Sequence, residues 1–356
     1  MLDSGKTPYL CASSENNAVS SYVSYDERYI DKGNCVFIGG KTFVVSYQSQ
    51  DFFSNDSHNL ALYLKDSKRR TKPIQLFLAA CISMSLKHKY SWGNSISTRK
   101  IQDDIVLLPV KNGAIDFDFM ESFVAELEAQ RVAELSAYLK VSGYDNYELS
   151  AEELAALRKF INLPDENWGT YKVGDLFERV ETTRLPYKAK ELPKQPIDDY
   201  VLPCLTSSFQ NQGLNYYAPR TGATVLNNVI SIPSNSDVYR AYYQTRDFTV
   251  LSDAYAIRWK SGKIKISPNQ YLFMVMCINK VTDLPIYSYK NKLGGWNIVK
   301  GKSIRLPEKD GEIDFDFMDR FISAVKKLAI KEVVLYSDRK IAATKKTASS
   351  DNCEGK

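Results

Sequence analysis

The hexapeptide IDFDFM occupies residues 115–120 and occurs again, letter for letter, at residues 313–318. The match extends towards the N-terminus. LPVKNGAIDFDFM at 108–120 aligns with LPEKDGEIDFDFM at 306–318, and 10 of the 13 positions are identical. Each copy leads into a long stretch in which apolar side chains recur with helical spacing. The hexapeptide therefore predicts a structural element that the chain uses twice.

Other pairs of segments match in the same order along the chain. YQSQDF (47–52) aligns with YQTRDF (243–248), and NCVFIGG (34–40) aligns with NVISIPS (228–234). A weaker match joins SSENNAVSSYV to SSFQNQGLNYYA. The offset drifts slightly, as small loop insertions would produce. The chain is therefore predicted to be a tandem duplication.

The composition is that of a globular chain, with 44% hydrophobic residues, 25% charged residues and a net charge of +5. A chain of 356 residues is long enough for two domains of ordinary size. Its apolar stretches are too short to span a bilayer, and its N-terminus lacks the pattern of a signal peptide. We therefore expect a cytoplasmic protein. The positive charge permits binding to a polyanion but does not require it.

Cysteine and histidine are placed in a way that argues against metal binding. The six cysteines, none of them in a CxxC pair, are Cys11, Cys35, Cys81, Cys204, Cys277 and Cys353. Only His58 and His88 could add imidazole ligands. Neither a disulfide framework nor a zinc site is expected.

Each repeat has the same predicted anatomy. Short alternating runs such as CVFIGG and TFVVSY, or NVISIP and TVLSDAYAIRWK, predict strands. An apolar segment follows, PIQLFLAACISMSL or SPNQYLFMVMCINKV, and its length favours a buried helix over a buried strand. Ser267 and Pro268 fit the first positions of such a helix.

Each repeat ends in a predicted long helix. Asp116 and Asp314 precede the two helices, where a carboxylate can cap free amides. A catalytic or metal-binding role for the aspartates of DFD is the less favoured alternative, because no third ligand stands near. The face predicted to pack along another helix comprises Phe123, Leu127, Leu135 and Tyr138 or Leu139 in the first helix, and Phe321, Val325, Leu328 and Leu335 in the second.

A linker joins the repeats. Ser150 and Glu153 predict a capping box for a short helix, and Pro164 predicts its end. The second repeat then opens at Trp168 with WGTYKVGDLFERVE.

This order of motifs resembles the specificity subunits of bacterial restriction–modification systems. WGTYKVGDLFERVE, a strand-rich region, LPEKDGEIDFDFM and a long helix carry the resemblance, which covers nearly the whole chain. The IDFDFM segment before a Glu-rich helix is closer to BcgI-like specificity subunits than to type I subunits, whose spacer helices usually follow a different segment. The implied fold class is α+β: a duplicated strand-rich target-recognition domain followed by a long spacer helix, the two helices packing as an antiparallel pair.

The resemblance also predicts domain boundaries. These are 1–107 for the first target-recognition domain, 108–167 for the first spacer helix and linker, 168–305 for the second domain, 306–345 for the second spacer helix and 346–356 for a tail. The first repeat has no equivalent of WGTYKVGDLF. We therefore expect either a start further upstream or a first domain that is short at its N-terminus.

In this family each target-recognition domain reads one half of a bipartite site in double-stranded DNA. The resemblance assigns no catalytic residue, metal or cofactor to this chain. S-adenosylmethionine and Mg²⁺ are expected in a partner, which in BcgI-like systems is one fused methyltransferase–nuclease chain. Three alternatives stay open: a type I subunit with separate modification and restriction chains, the recognition fragment of a single-chain enzyme, and a tandem module for a ligand other than DNA.

Base reading requires polar side chains that reach the groove edges, and backbone binding requires cations. The candidates in the first repeat are Asn16, Asn17, Lys41, Lys68, Arg69, Arg70 and Lys72. Those in the second repeat are Asn211, Gln212, Asn235, Tyr239, Arg240, Arg246, Lys290, Asn291 and Lys292.

Each of these basic segments has a plainer alternative. The run KDSKRRTK is equally compatible with a solvated hairpin tip, and SDVYRAYYQTR with a Tyr-rich strand. On the long helices, an acidic set (Glu126, Glu128, Glu134, with Arg131) and a basic set (Lys326, Lys327, Lys331) could dock the partner, attract each other or simply be solvated.

No enzymatic motif stands out. GGWNIVKGKS has five residues between Gly295 and Gly301 rather than the four of a phosphate-binding loop. No Gly-rich cofactor loop and no methyltransferase motif of the Asn/Asp-Pro-Pro-aromatic type is found. The sequence therefore predicts a binding subunit rather than an enzyme.

Overall fold

The computed structural model of the chain describes residues 2–351, except for 163, 261 and 263. Its contacts form two compact units: unit 1 is Met1–Ser142 with Leu335–Lys356, and unit 2 is Gly143–Val334. Both combine small sheets with helices, which confirms the predicted α+β duplication. Cys353 and the end of the predicted tail lie outside the described residues.

Unit 1 begins with strands and ends with helices. Its strands are β1 (Leu2–Leu10), β2 (Val19–Ser24), β3 (Cys35–Gly39), β4 (Val44–Gln48), β5 (Leu60–Leu62), β6 (Val110–Lys111) and β7 (Ala114–Ile115). Its helices are α1 (Lys72–Leu86) and α2 (Phe117–Val141). The strands pair antiparallel as β1–β2, β4–β3–β5 and the hairpin β6–β7.

Unit 2 repeats this order after the linker helix α3 (Ala151–Asn162). Its strands are β8 (Trp168–Lys172), β9 (Phe177–Arg179), β10 (Tyr200–Leu205), β11 (Leu214–Pro219), β12 (Val229–Pro233), β13 (Tyr242–Gln244), β14 (Thr249–Val250), β15 (Ala254–Trp259), β16 (Ser303–Lys309) and β17 (Glu312–Ile313). Its helices are α4 (Val173–Leu176), α5 (Pro268–Thr282), α6 (Trp296–Val299) and the first part of α7 (Phe315–Asp351).

The sheets of unit 2 are larger than those of unit 1. They run β11–β10–β14, β13–β12–β15–β9 and β17–β16–β8. Only β10 and β14 pair in parallel among these described strands. The repeats share their strand register: Cys35 lies opposite Gln48 in unit 1, and Val229 lies opposite Gln244 in unit 2.

The predicted helix starts are confirmed. Asp116 Oδ1 accepts from the Phe119 amide and Asp314 Oδ1 from the Phe317 amide, at 2.9 Å in both cases. Ser267 caps α5 through the Gln270 amide, with Pro268 as the first helical residue. These caps depend on residues three apart in sequence, which is why a motif predicts them.

The linker helix is capped as its sequence predicts. The Glu153 amide donates to Ser150 Oγ at 3.1 Å, and the Ser150 amide donates to Glu153 Oε2 at 2.7 Å. The helix ends at Asn162, two residues before Pro164.

The predicted packing face of the long helices was partly wrong. Leu127 and Leu328 are 42% and 49% exposed, whereas Val124 and Ile322 are buried. The buried face of α2 is centred on Met120 and Val124, and Val124 lines a cavity together with Leu76 and Phe77 of α1. Phe321 is buried, as predicted.

The last part of α7 lies against α2 within unit 1. Lys340 Nζ is 3.1 Å from Glu128 Oε2. Tyr336 lines one cavity with Leu135, and Thr344 lines another with Ala125. Residue numbers thus rise along α7 while they fall along α2, so these segments run antiparallel, as predicted.

An aromatic trio occurs at matching positions in both units. In unit 2 the trio of Phe273, Phe317 and Phe321 is buried. Phe160 of α3 stacks on Phe321 with ring centroids 4.3 Å apart, and Trp168 lies 6.5 Å from Phe273. The linker helix and β8 therefore cover the trio in unit 2.

The corresponding trio of unit 1 is less covered. Phe119 and Phe123 remain 46% and 47% exposed beside Phe77. Ile105 and Leu107, at the positions of Ser303 and Arg305 in β16, are 78% and 81% exposed. Residues 104–109 form no strand, whereas their counterparts in β16 pair with β8.

Candidate nucleic-acid interface

A left-handed turn joins β1 to β2 in unit 1. Asn16, Asn17 and Ala18 have φ values of 46°, 52° and 70°. Such a backbone costs about 1–2 kcal/mol for each residue that has a Cβ atom, somewhat less for Asn. The Asn16 side-chain amide donates to the Val19 carbonyl at 3.0 Å, which closes the turn. Asn16 and Asn17 are exposed, and Ala18 is buried.

Unit 2 repeats this turn between β10 and β11. Asn211, Gln212 and Gly213 have φ values of 48°, 54° and 87°. The Asn211 side-chain amide donates to the Leu214 carbonyl at 2.7 Å. Asn211 and Gln212 are exposed. The structure thus places four sequence-predicted residues at equivalent positions, two in each unit.

A buried glutamine is bonded to the middle of each turn. Gln48 Nε2 donates to the Asn17 carbonyl at 2.9 Å, and Gln244 Nε2 donates to the Gln212 carbonyl at 3.2 Å. Sequence reasoning missed both glutamines. The signal that could have found them is the dipeptide YQ, which recurs in the aligned segments YQSQDF and YQTRDF.

Two polar clefts flank the turn of unit 2. The larger, about 630 Å³, is lined by Lys194, Gln195, Thr206, Ser207, Ser208, Gln210, Asn211, Asn215, Tyr216 and Asp253 among others. The smaller, about 230 Å³, is lined by residues of the same loop together with Asn235, Asp237 and Tyr289. Asn235 Oδ1 is buried and has no hydrogen-bond partner among the described residues. Asn211 lines the larger cleft and Asn235 the smaller one, and both clefts are lined by Ser207, Ser208 and Gln210.

Further predicted residues of unit 2 are exposed and differ in their contacts. Arg240 Nε is 2.6 Å from Asp283 Oδ2, and this bond raises the pKa of the guanidinium. Lys292 lies over the Tyr289 ring at 4.8 Å, and the Asn291 side chain donates to the Ile286 carbonyl at 2.7 Å. Arg246 and Lys290 make no ion pair within the described part of the chain.

Tyr239 does not fit its predicted role. The side chain is 1% exposed and packs in the main core of unit 2 with Ile232 and Tyr255. It stands before β13, where the chain turns into the core. The neighbouring Arg240, not Tyr239, reaches the surface.

The basic run KDSKRRTK (65–72) of unit 1 does not form a hairpin tip, and several of its cations have partners. Residues Ser67–Arg69 form a single 3₁₀ turn that leads into α1. Arg69 Nη1 is 2.9 Å from Asp118 Oδ1, and Arg70 Nε donates to the Leu64 carbonyl at 2.6 Å. Lys72 Nζ is 3.6 Å from Glu128 Oε1.

Lys68 and Lys41 are the other two predicted cations of the first repeat. Lys68 is exposed and makes no ion pair among the described residues. Lys41 Nζ is 3.0 Å from Asp56 Oδ2. The His58 amide and the Lys41 ammonium lower the pKa of the Asp56 carboxyl. Lys68 is thus the freest cation of this set.

Three cysteines in the described part of the chain are poor nucleophiles. Burial raises the pKa of the Cys35 thiol to about 11, and of the Cys204 and Cys277 thiols to about 12, so thiolates are scarce at neutral pH. No group of three His, Cys, Asp or Glu side chains that could hold a metal ion occurs among the described residues. Asp118 pairs with Arg69 rather than joining Asp116 in a site.

No helix in the described residues is both long enough and apolar enough to cross a membrane.

Comparisons with known proteins connect this geometry to a family. The family model described as type I restriction modification DNA specificity domain matches residues 1–137 and 165–336. The chain is 22% identical over 321 residues to the specificity subunit S.BcgI of a type II restriction enzyme from Heyndrickxia coagulans, covering 89% of this chain and 85% of that protein.

One solved structure shares the fold, and another is a weaker match. The S subunit of a type I restriction-modification system from M. genitalium matches with a TM-score of 0.52 at 10% identity, covering 98% of this chain and 88% of that one. The HsdS subunit from Thermoanaerobacter tengcongensis matches with a TM-score of 0.33 at 11% identity, covering 95% and 85%.

Proposed function

Because this chain belongs to the type I restriction modification DNA specificity family, and is a DNA-sequence specificity subunit with two target-recognition domains, we propose that its units read the two halves of one bipartite site. The observation that carries this proposal is the repeated left-handed turn. Each unit presents two exposed amide side chains, Asn16 and Asn17 or Asn211 and Gln212, from the same backbone conformation.

Amide side chains suit base reading because they combine a donor with an acceptor. In the major groove, Asn or Gln pairs with the N6 and N7 edge of adenine. Gln212 is the best placed of the four residues, since its side chain makes no hydrogen bond within the described part of the chain. Asn235, whose Oδ1 is buried and unpartnered among the described residues beside the same loop, would be a second reader in unit 2 only after its side chain turns outward.

Exposed cations of both units would contact the DNA backbone. Lys68, Arg246 and Lys290 are exposed without ion pairs among the described residues, so phosphate binding would not require breaking a bond. Lys41, Arg69, Arg70, Lys72 and Arg240 would first have to leave their present partners. We assign the backbone contacts to the first group, together with Asn291 and Lys292.

The chemistry of the system is proposed to lie in another chain. Specificity subunits of this family are in general not catalytic, and we propose the same for this one. The partner would be a methyltransferase or a fused methyltransferase–nuclease, and it would bring S-adenosylmethionine and Mg²⁺. The likeness to S.BcgI over most of both chains favours the fused partner over separate modification and restriction chains. The complex would act in the cytoplasm.

The test is a methylation map of the host genome. Single-molecule sequencing compares a host that carries this chain and its methyltransferase with the same host lacking this chain alone. We expect one bipartite motif, with unread bases between its halves, to disappear. Unchanged methylation would refute the specificity role. A lost motif with one defined half would refute the assignment of one reader to each unit.

A further inference from the structure

We propose that Gln48 and Gln244 are positioning residues for DNA recognition: each holds the left-handed turn of its own unit in the conformation that presents the reading side chains. The proposal rests on the proposed function of those turns. Neither glutamine would touch a base, because both side chains are buried and 5% exposed. Their effect on specificity would pass through the backbone carbonyl that each one binds.

The turns need such a support. The residues with a Cβ atom and positive φ, which are Asn16, Asn17 and Ala18 in unit 1 and Asn211 and Gln212 in unit 2, are strained, and strained backbone persists where the surroundings hold it. The carbonyl bound by each glutamine belongs to the middle residue, Asn17 or Gln212, where a change of φ or ψ would redirect both exposed side chains. One buried amide in each unit therefore controls the direction of two reading side chains.

A serine hydroxyl orients each glutamine, and it comes from different strands in the two units. Gln48 Nε2 donates to Ser46 Oγ at 2.9 Å, and Ser46 lies on the same strand as Gln48. Gln244 Nε2 donates to Ser231 Oγ at 3.1 Å, and Ser231 lies on the neighbouring strand. The same interaction is thus built in two ways.

The same cross-strand pair occurs in both repeats, and the serine lies on β4 in unit 1 but on β12 in unit 2. Ser46 lies opposite Phe37 in unit 1, and Ser231 lies opposite Tyr242 in unit 2. By the alignment of the repeats, Phe37 corresponds to Ser231 and Ser46 corresponds to Tyr242. The repeats differ at both positions, yet each retains one hydroxyl within reach of the glutamine. This points to the bonded amide, rather than the shape of the core, as the retained feature.

Packing alone does not account for a glutamine here. A buried amide costs free energy unless its polar atoms are bonded, and an apolar side chain of similar size would fill the same space. The bonds of Gln48 and Gln244 go to the turn and to the orienting serine. Together these hydrogen bonds fix the left-handed turn of each unit.

The experiment replaces each glutamine by methionine, which has a similar length but no amide. Full-length wild-type chain, Gln48→Met and Gln244→Met are each purified with the methyltransferase partner. Each complex selects sequences from a random duplex DNA library. We expect Gln244→Met to keep one half-site and to lose base discrimination in the other by about tenfold or more at each affected base pair. Gln48→Met should show the reverse pattern.

The variants control for each other. Wild-type preferences in both halves for both variants would overturn the positioning role. Equal loss in both halves for either variant would also overturn it, since this is the mark of a general folding defect. If the wild-type complex selects no sequence at all, the proposed function itself fails, and this result is distinct from the other two.

A second pair of variants tests the support without touching the glutamine. Ser231→Thr keeps the hydroxyl. Ser231→Val introduces a side chain of nearly the same shape as threonine but without the hydroxyl. We expect the Thr variant to retain the half-site of unit 2 and the Val variant to lose it. Equal behaviour of the two variants in the selection would overturn the role of the serine–glutamine bond.

Discussion

Lys159 places its ammonium 3.0 Å from Oδ2 of Asp314, the residue that caps the second long helix. The same ammonium lies 4.8 Å from the centre of the Phe317 ring. Asp116 caps the first long helix with the same geometry but has no cation partner among the described residues. The linker helix thus adds a charge interaction to a cap that is otherwise the same in both repeats.

Replacing these aspartates by asparagine should separate the cap from the ion pair. Asparagine caps a helix as well as aspartate does but carries no charge. We expect Asp314→Asn to lower the free energy of unfolding by about 1 kcal/mol, because Lys159 is partly exposed and solvent screens the pair. Asp116→Asn should be nearly neutral. Urea unfolding of the full chain measures both, and equal losses would contradict the assignment.

Glu153 anchors the linker helix within unit 2 and should make its stability depend on pH. Burial disfavours the charged form, but bonds from Ser323, the Ser150 amide and Lys327 outweigh it and lower the pKa of the carboxyl to about 2. Because the folded pKa lies below the unfolded one, the stabilisation is complete above about pH 5 and is lost as pH falls towards 2.

Glu153→Gln should therefore cost about 2 kcal/mol at pH 7 and progressively less at pH 4 and pH 3. Glu152→Gln is the matched control, since the Glu152 side chain is largely exposed and its pair with Arg320 is long, at 3.6 Å. Urea unfolding at the three pH values provides the measurement. A cost for Glu153→Gln that does not change with pH would contradict the ion-pair explanation.

The aromatic trio offers a comparison between the repeats. Phe273 is 1% exposed beneath Phe160 and Trp168, whereas Phe77, at the matching position, is only partly buried. We expect Phe273→Ala to destabilise its unit by about 3–5 kcal/mol and Phe77→Ala by about half as much or less. Thermal or urea unfolding of the full chain distinguishes the two. Equal effects would mean that the cover provided by α3 and β8 contributes little.

Gln212→Ala should change which bases are preferred rather than how strongly DNA is held. Its side chain is exposed and unbonded in the described part of the chain, so truncation should leave the fold intact. We expect discrimination to weaken in the half-site read by unit 2 only. Asn17→Ala is the variant at the matching position of unit 1 and should affect the other half-site, but it also removes the hydrogen bond that the Asn17 side-chain amide donates to the Tyr47 carbonyl at 3.0 Å. Competition binding with single base-pair changes measures both effects.

Lys290→Ala should have the opposite signature. Loss of a phosphate contact weakens binding to all sequences alike and reduces the slope of log affinity against log salt by about 1. Lys331→Ala removes an exposed lysine from α7 and should leave this slope unchanged. Fluorescence anisotropy over a salt series compares the two variants. A change of base preference in Lys290→Ala would contradict a backbone role.

The parts of the fold predicted from sequence are those set by neighbours in sequence. The caps by Asp116, Asp314 and Ser267 join residues three positions apart, so short motifs predict them. The helices α1 and α5 follow from uninterrupted apolar segments after a proline. Most predicted readers remain predictions, because nothing in the geometry tests contact with DNA.

Contacts between distant residues account for the corrections. Tyr239 was predicted to face DNA because it stands beside Arg240, but its ring packs against segments remote in sequence. Arg69 was predicted to contact DNA, and the structure adds a partner that the sequence did not reveal, since Asp118, 49 residues further along, accepts its hydrogen bond. Such partners cannot be identified from local pattern.

The sequence by itself determined the duplication, the order of strands and helices in each repeat and the family, because repeated motifs and local spacing are properties of adjacent residues. Only the tertiary structure decided which side chains of each repeat stay exposed and how the turns are held. Gln244 and Gln212 lie 32 residues apart, and no local pattern joins them. Gln244 lies on β13, in one sheet, and its amide reaches the Gln212 carbonyl in the turn between β10 and β11 of another sheet. Burial makes an unbonded amide costly there, so the bond to the turn is favoured.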